Sequence, residues 1–366
     1  MDIDRLEKEW SIITDFLPPD WRDLARSTGA LKRARKVRDP ETLLLLIMSH
    51  AATGLSLNQT SARAKRLGIA SISKVALFKR MRNAETWLHE LAVRMFAASP
   101  FDHTAGTDVT DRRIRVVDAT TIQEPGSTGT DWRLHYVLQL PSLECDFFDL
   151  TDRFGGETYE RTPVQNGDII LGDRGYCHRE GVAHIMEEGG DVIVRLNWNN
   201  FPLVKKSGES INILKRLRTL DGYNLGEWSV WFEAFDQMYN GRLCAVRKSK
   251  EAAEKSKERI RKTARKNGGS PRPETLESAE YVYVLATTDQ KTLSTEAVLE
   301  LYRARWQVEL AFKRMKSLFE VGQVPKKNER SARSWIYAKL LAVLLIERMI
   351  HAANFFSPWG FDERKP

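Results

Sequence analysis

The chain has 366 residues, of which 57 are Lys or Arg and 49 Asp or Glu, giving a net charge of +8 and a sequence pI of about 9.3. That length supports two or three domains of roughly 100–150 residues, and the basic balance favours a polyanionic partner, usually nucleic acid, over a small neutral substrate. Cys145, Cys177 and Cys244 are far apart and form no C-x-x-C, which excludes a disulfide framework and a zinc ribbon. Cys177-His178 lacks a second ligand pair and reads as incidental, and the chain reads as reduced and intracellular. The opening MDIDRLEKEW is mixed and acidic, unlike a signal peptide. The apolar runs Leu43–Met48 and Leu340–Ile346 fall far short of the ~20 residues of a spanning helix. Both are expected to be core helices, and no membrane partner is expected.

Residues 1–105 read as helical. Leu43–Ala52 has the pattern of a buried helix. Ser56–Leu67 follows, and after Gly68-Ile69-Ala70 comes Ser73–Met81, with Ser71 or Ser73 as N-cap. A helix, a Gly-containing turn and a second helix bearing Lys74, Lys79, Arg80 and Arg82 resemble a helix-turn-helix, in which the second helix enters a major groove. A plain helical bundle with a solvated basic face is the alternative.

Near Arg112 the pattern changes to strands. Ile114–Val117 ends at Asp118, and Trp132–Leu140 and Cys145–Leu150 are joined by a turn at Pro141-Ser142, which predicts a three-strand antiparallel meander. A polar stretch with Gly155-Gly156 and helical character follows. Ile169–Leu171 is a buried strand running into Gly172-Asp173-Arg174-Gly175-Tyr176. A helix is expected near Glu180–Glu188 and a strand over Val192–Leu196. Residues 201–286 read as a mainly β insertion: Trp228–Phe235, Arg242–Val246 and Tyr281–Ala286 surround a basic segment, Arg247–Lys266, expected to be a solvated helix or a mobile arm. Residues 106–200 and 287–366 then form two parts of one α/β core, closing with helices over Thr295–Leu318 and Ser331–Ala352.

Leu301–Leu318 carries the strongest signal. At about 100° per residue, Arg305, Glu309 and Lys316 fall within roughly 40° of one another on the wheel, with Tyr302 about 20° beyond. Val308, Phe312, Met315 and Phe319 form an apolar stripe beside them, which places the polar stripe at the rim of a core. Ordinary surface ion pairs, Arg305 with Glu309 and Glu309 with Lys313, are the plainer reading. Asp118 and Asp173 each follow an apolar strand, and strand ends are where open α/β sheets bind ligands. If those strands are parallel neighbours, the two carboxylates need a cation between them, and hard oxygen donors suit Mg²⁺ or Mn²⁺. Glu309 would be a third ligand. Three carboxylates around two divalent ions suit in-line attack at phosphorus. A glycoside hydrolase also pairs carboxylates, but needs neither an Arg/Lys-lined Glu helix nor a basic chain.

Tyr302-x2-Arg305-x3-Glu309-x6-Lys316 matches the Y-R-E-K signature of the insertion-sequence-4 family of DDE transposases. DATTIQEPG (Asp118–Gly126), GDRGY (Gly172–Tyr176) and RLNW (Arg195–Trp198) resemble that family's blocks around its first two catalytic Asp residues, and the resemblance covers roughly residues 30–350. It implies an α/β, RNase H-like catalytic core with a largely β insertion, preceded by the helical N-terminal domain. It implies Asp118, Asp173 and Glu309 as catalytic ligands of two Mg²⁺ or Mn²⁺ ions, and Tyr302, Arg305 and Lys316 on phosphates of the transposon end. Trp306 would stack on a base or pack against the sheet. The implied partners are double-stranded DNA, both terminal inverted repeats and target, and a second copy of the chain in the DNA complex, in a bacterial cytoplasm at the nucleoid. Many family members cut through a hairpin held by an aromatic residue on the strand that matches Tyr281–Ala286. Tyr281, Tyr283 and Leu285 share one face of that strand, so Tyr283 is the candidate, with Tyr where the family has Trp. A core tyrosine is the alternative. His135 reads as a structural strand residue. The competing functions are a stand-alone nuclease or resolvase of the same fold, and a non-catalytic DNA-binding derivative, against which the intact carboxylates argue.

Overall fold

Strands that are apolar on both sides need cover on both faces. The central strands of this chain are of that kind, and helices flank them on either side. The computed structural model describes residues 3–97, 110–140, 145–222, 224–305, 324–325 and 328–355. The strands among them are β1 (Ile114–Ile122), β2 (Trp132–Leu140), β3 (Cys145–Asp152), β4 (Ile169–Gly172), β5 (Asp191–Arg195), β6 (Leu225–Ala234), β7 (Gln237–Arg247) and β8 (Tyr281–Ala286). They make one eight-stranded mixed sheet in the order β3-β2-β1-β4-β5-β8-β7-β6. The β1–β4 and β4–β5 pairs are parallel and the rest antiparallel.

The expected meander is present as β1–β2–β3. Two features differ from expectation. The insertion strands continue the core sheet, because β8 pairs with β5 (Ile193↔Ala286 to Arg195↔Val284) and β7 with β8. The stretch after Gly155-Gly156 forms only a single 3-10 turn, Tyr159–Arg161. Its side chains go into contacts across the sheet end rather than along a helix.

The helices are α1 (Ile3–Thr14), α2 (Trp21–Ser27), α3 (Pro40–Thr53), α4 (Leu57–Arg66), α5 (Lys74–Asn83), α6 (Glu85–Ala97), α7 (Arg179–Glu187), α8 (Ile213–Leu217), α9 (Lys250–Lys266), α10 (Pro273–Ser278), α11 (Thr295–Ala304) and α12 (Glu329–Phe355). Local chemistry fixes their ends. Asp39 caps α3, accepting from the Thr42 N–H at 2.6 Å, with Pro40 in the first turn and Gly54 at φ +68° after the last. Ser56 and Gln59 form a capping box on α4. Of the two serines proposed for α5, Ser73 is the cap.

One buried core runs from Trp21, Leu43, Ile47, Trp87 and Leu91 through Ile336 and Leu341 of α12 to Ile114, Val116, Leu171, Ile193 and Val284 of the sheet. The N-terminal helices, α11 and α12 therefore share one face of the sheet. Ser334 of α12 reinforces the join by donating to the Met81 carbonyl at 2.7 Å. Val182 and Ile185 of α7, Leu214 and Leu217 of α8, Tyr159 and Tyr176 cover the other face with Val117, Ile170, Phe232 and Tyr283. The basic segment folds as the helix α9, capped by Ser249, with only Ala253 of its own residues buried. Both apolar runs lie in core helices, and among the described residues no helix is long and apolar enough to cross a membrane.

A buried ionic network stitches the start of β1 to the start of β4. Arg113 donates twice to Asp168, at 2.7 Å each. Arg115 donates to both carboxylate oxygens of Asp146, at 2.7 and 2.8 Å, and to Asp168 at 3.3 Å. Asp168 is 1% exposed and also accepts the Gln165 N–H at 2.9 Å. Removing one member of such a network strands buried charge, which costs about 3–5 kcal/mol. Asp168→Ala is expected to lower the unfolding free energy by that amount in urea denaturation. A loss below about 1 kcal/mol would mean that the network does not hold the sheet.

Candidate active site

Parallel pairing sets Ile114 opposite Ile169, Arg115 opposite Ile170 and Val116 opposite Leu171. Two residues further along each strand, Asp118 and Asp173 come level. β4 stops at Gly172, and Asp173 leaves it as the cap of a 3-10 turn, its Oδ1 accepting the Gly175 N–H at 2.7 Å. β1 does not stop. It runs on to Ile122, paired with β2 from Asp118↔Tyr136 to Ile122↔Trp132. Asp118 is thus mid-strand rather than at the strand's end as expected, because β2 supplies a partner where β4 no longer does. Alternation along β1 puts Asp118 on the side of Ile114 and Val116, the face covered by α11 and α12.

α11 reaches the same place from that face. Ser294 caps it, Val298 and Leu301 are buried beneath it, and Tyr302 and Arg305 sit at its C-terminal end. Arg305 Nη1 lies 3.8 Å from Asp118 Oδ2, and its guanidinium is 5.8 Å from the Tyr302 ring centre. A second buried arginine fixes where α11 starts. Arg242 of β7 donates to the carbonyls of Thr288, Asp289 and Leu293 at 2.8, 3.2 and 2.8 Å and to Glu227 at 3.1 Å. Glu227 in turn accepts from Thr295, the first residue of the helix. Beside Tyr302 and Arg305 opens a groove of ≈ 450 Å³ that Arg195 and Arg303 also line.

Electrostatics mark the carboxylate pair. The Asp118 side chain is 18% exposed. Burial, with Asp173 and Glu157 adding repulsion, pushes its pKa up to about 6, against the pull of the Ala119 N–H and Arg305. Glu157 is itself raised by burial and by Asp173. Closely set hard oxygen donors that resist joint ionisation fit a small divalent cation, whose charge removes the conflict. Among the described residues no group of three or more His, Cys, Asp or Glu is spaced to hold a metal ion. The third expected ligand, Glu309, lies outside them, as do Trp306 and Lys316.

The structure therefore brings together Asp118, Asp173, Tyr302 and Arg305. It does not bring Tyr283 to them. That ring is 7% exposed, packs 6.4 Å from Trp198, and lies on the sheet face opposite α11. The expectation that its face looks onto the site is overturned: the ring lies in the core on the other side of the sheet, against Trp198. Lys74 and Lys79 are exposed on α5, whereas Arg80 is half-buried and donates to the Arg33 carbonyl at 2.5 Å. His135 is buried with Nε2 3.0 Å from Thr151 Oγ1, and burial beside Arg161 lowers its pKa to about 4, which suits a neutral structural residue. Sequence reasoning missed Glu157 and gave no role to Arg195, although the RLNW block contained it.

The model of the Transposase DDE domain matches residues 152–345. Over 365 residues the chain is 35% identical to the InsL transposase assigned to insertion sequence element IS186A of Escherichia coli K12, covering 97% of this chain and 98% of that one. It is 34% identical over 366 residues to the transposase of element IS421 of Escherichia coli, with the same coverage. The chain belongs to the DDE transposases of insertion sequences. This transposase is also 27% identical to that of IS231F from Bacillus thuringiensis subsp. israelensis, over 64% of its own length and 56% of the relative's. Among solved structures, the piggyBac transposase synaptic complex with hairpin DNA aligns over 93% of this chain and 72% of that one, at a TM-score of 0.44 and 10% identity. That likeness is too loose to bear on fold or mechanism. The matched domain span contains Asp173 and α11, while Asp118 lies before it and falls within the full-length relatives' coverage.

The raised Asp118 has a stability consequence in the metal-free transposase. Its folded pKa of about 6 lies above the ordinary 3.8. Between those values the folded state holds a proton that the unfolded chain has released, so stability falls as pH rises from about 4 to 6 and stays low above. Asp118→Asn removes the penalty. In EDTA it is expected to stabilise the transposase by roughly 2–3 kcal/mol at pH 7–8, with the gain vanishing below about pH 4. Urea denaturation of both proteins across pH 4–8 checks this, and a pH-independent difference would contradict it.

Proposed function

We propose that this transposase is a member of the insertion-sequence-4 family, with an RNase H-like core built from β1–β5, and that it cuts and pastes its element by metal-dependent hydrolysis and strand transfer. The observation that carries the reading is the level placement of Asp118 and Asp173 on neighbouring parallel strands, with Arg305 3.8 Å from Asp118. The strand order β3-β2-β1-β4-β5 and the Y-R-E-K spacing of Tyr302, Arg305, Glu309 and Lys316 also support it.

In this reading Asp118, Asp173 and Glu309 hold two Mg²⁺ or Mn²⁺ ions, which when bound supply Lewis-acid charge and lower the pKa of water. The protein's own work is positioning. Arg305, held over Asp118 by α11, presents a planar donor fork to a phosphate of the transposon end. Tyr302 lies against the same guanidinium and limits its movement. Arg195 and Arg303 line the groove with Arg305, together with the carboxylates of Glu296 and Glu300, and the guanidinium groups suit the next phosphates of a duplex. The Y-R-E-K spacing gives Lys316 a phosphate of the transposon end as well. Lys74 and Lys79, exposed on α5, are free to meet DNA, while Arg80 serves chiefly to tie α5 to the segment at Arg33. The active species is a homodimer on paired ends. The helical segment 1–105 then serves as a DNA-contacting unit that shares the transposase core.

Asp118→Asn, Asp173→Asn and Glu309→Gln are each expected to reduce Mg²⁺-dependent cleavage of a transposon-end duplex to below about 1% of wild type, a loss of the size expected when a group stabilising the transition state is removed, while gel-shift binding persists. Residual cleavage of a tenth or more in any one removes that residue from the site. Arg305→Ala is expected to weaken end binding and to reduce the slope of log K against log salt by about one, the signature of one lost phosphate contact. An unchanged slope would return Arg305 to an internal ion-pair role with Asp118.

A further inference from the structure

The segment between β3 and β4 sets the side chains of Glu157 and Tyr159 beside the turn that carries Asp173. At Gly175, an added Cβ would lie 2.1 Å from Glu157 Oε2 and 3.0 Å from Asp173 Oδ1. At Gly172, an added Cβ would lie 2.1 Å from the Tyr159 hydroxyl. A side chain at Gly172 would meet the buried Tyr159 ring, and one at Gly175 would have to displace the Glu157 carboxylate. Glu157 reaches Asp173 without making a hydrogen bond or ion pair among the described residues, and its charged neighbours are Asp118, Asp173, Arg133 and His178. Among the described residues the Tyr159 hydroxyl, fully buried, has no hydrogen-bond partner, and its titratable neighbours are Cys177, Tyr176, Asp173 and Tyr302. A buried polar atom left so is costly, and in a native core it points to a water or an ion.

We propose that Glu157 is a fourth acidic residue of the active site, a positioning residue that accepts hydrogen bonds from water on the divalent cation at Asp173. The inference rests on the metal-site reading given above. It assigns Glu157 an indirect role because the described carboxylates do not form a ready three-ligand set, and because Mg²⁺ keeps several of its waters when bound by one or two carboxylates. Groups that hold such waters or ligands in place typically change metal affinity by 10–100-fold when altered. Glu157 and Arg305 then serve the Asp118–Asp173 pair in different ways, one as acceptor for cation-bound water and the other as donor to phosphate.

The test is Mn²⁺ binding to the full chain, with free Mn²⁺ followed by electron paramagnetic resonance, for wild type, Glu157→Gln, Glu157→Asp and Asp173→Asn. Thermal midpoints in EDTA monitor folding. Glu157→Gln is expected to weaken Mn²⁺ binding about tenfold with the EDTA midpoint unchanged or raised, because an acid crowded against another is relieved. Glu157→Asp is expected to fall between. A loss of less than about threefold in Glu157→Gln, with binding abolished in Asp173→Asn, overturns the proposal and leaves the metal site standing. Wild-type affinity in Asp173→Asn overturns the metal-site reading itself, and this inference with it. If Glu157→Gln does not fold, Glu157→Asp decides on the same threefold threshold.

Discussion

The geometry of the site depends on the Arg113–Asp168 clamp. Arg113 stands five residues before Asp118, and Asp168 five before Asp173. Two hydrogen bonds at 2.7 Å hold the first pair together, and the parallel strands carry that alignment to the second. Side chains alternate along a strand, so a slip of one residue would move one carboxylate by about 3.3 Å and turn it to the other face. Buried ion pairs contribute little net stability once desolvation is counted, and their best-attested use is to fix register. Here the register is what sets Asp118 against Asp173. Arg115, bonded to both Asp146 and Asp168, extends the clamp to β3, so the meander and the parallel strands cannot shift independently.

A second buried arginine sets the other half of the site. Arg242 binds three carbonyls in the segment after β8 and, through Glu227, the first residue of α11. The insertion strands matter for this reason. Because β8 is hydrogen-bonded to β5 and β7 to β8, the chain returns from the insertion at a fixed point on the core sheet. α11 then delivers Tyr302 and Arg305 to Asp118. The insertion is a structural continuation of the sheet, and its surface helix α9 is the part left to solvent.

Much of this arrangement was legible in the sequence. Short apolar runs ending at Asp118 and Asp173 gave two strands and two carboxylates, and the spacing of Tyr302 and Arg305 gave a helix with a polar rim. What was not legible is non-local. Nothing in Tyr281–Ala286 says that its partner is β5, or which of its faces is covered, since both faces of a central strand are apolar; hence the misplacement of Tyr283. Local hydrophobicity stops at Asp118 and so marks a strand end there, but pairing with β2 carries the strand on through Thr120 and Ile122. Glu157 lies in a polar, Gly-containing stretch with no period, and only the fold sets it beside Gly175 and Asp173. Arg80 resembled its exposed neighbours, and only the fold reveals the carbonyl it binds.

The most direct test of the account is where a divalent cation sits. Crystals of the transposase grown or soaked with Mn²⁺ and measured at the manganese absorption edge should show anomalous density between the carboxylates of Asp118 and Asp173, and the Arg113–Asp168 pair should be intact beneath it. Manganese density elsewhere at saturating Mn²⁺, or Asp118 and Asp173 out of level with each other, would contradict the account.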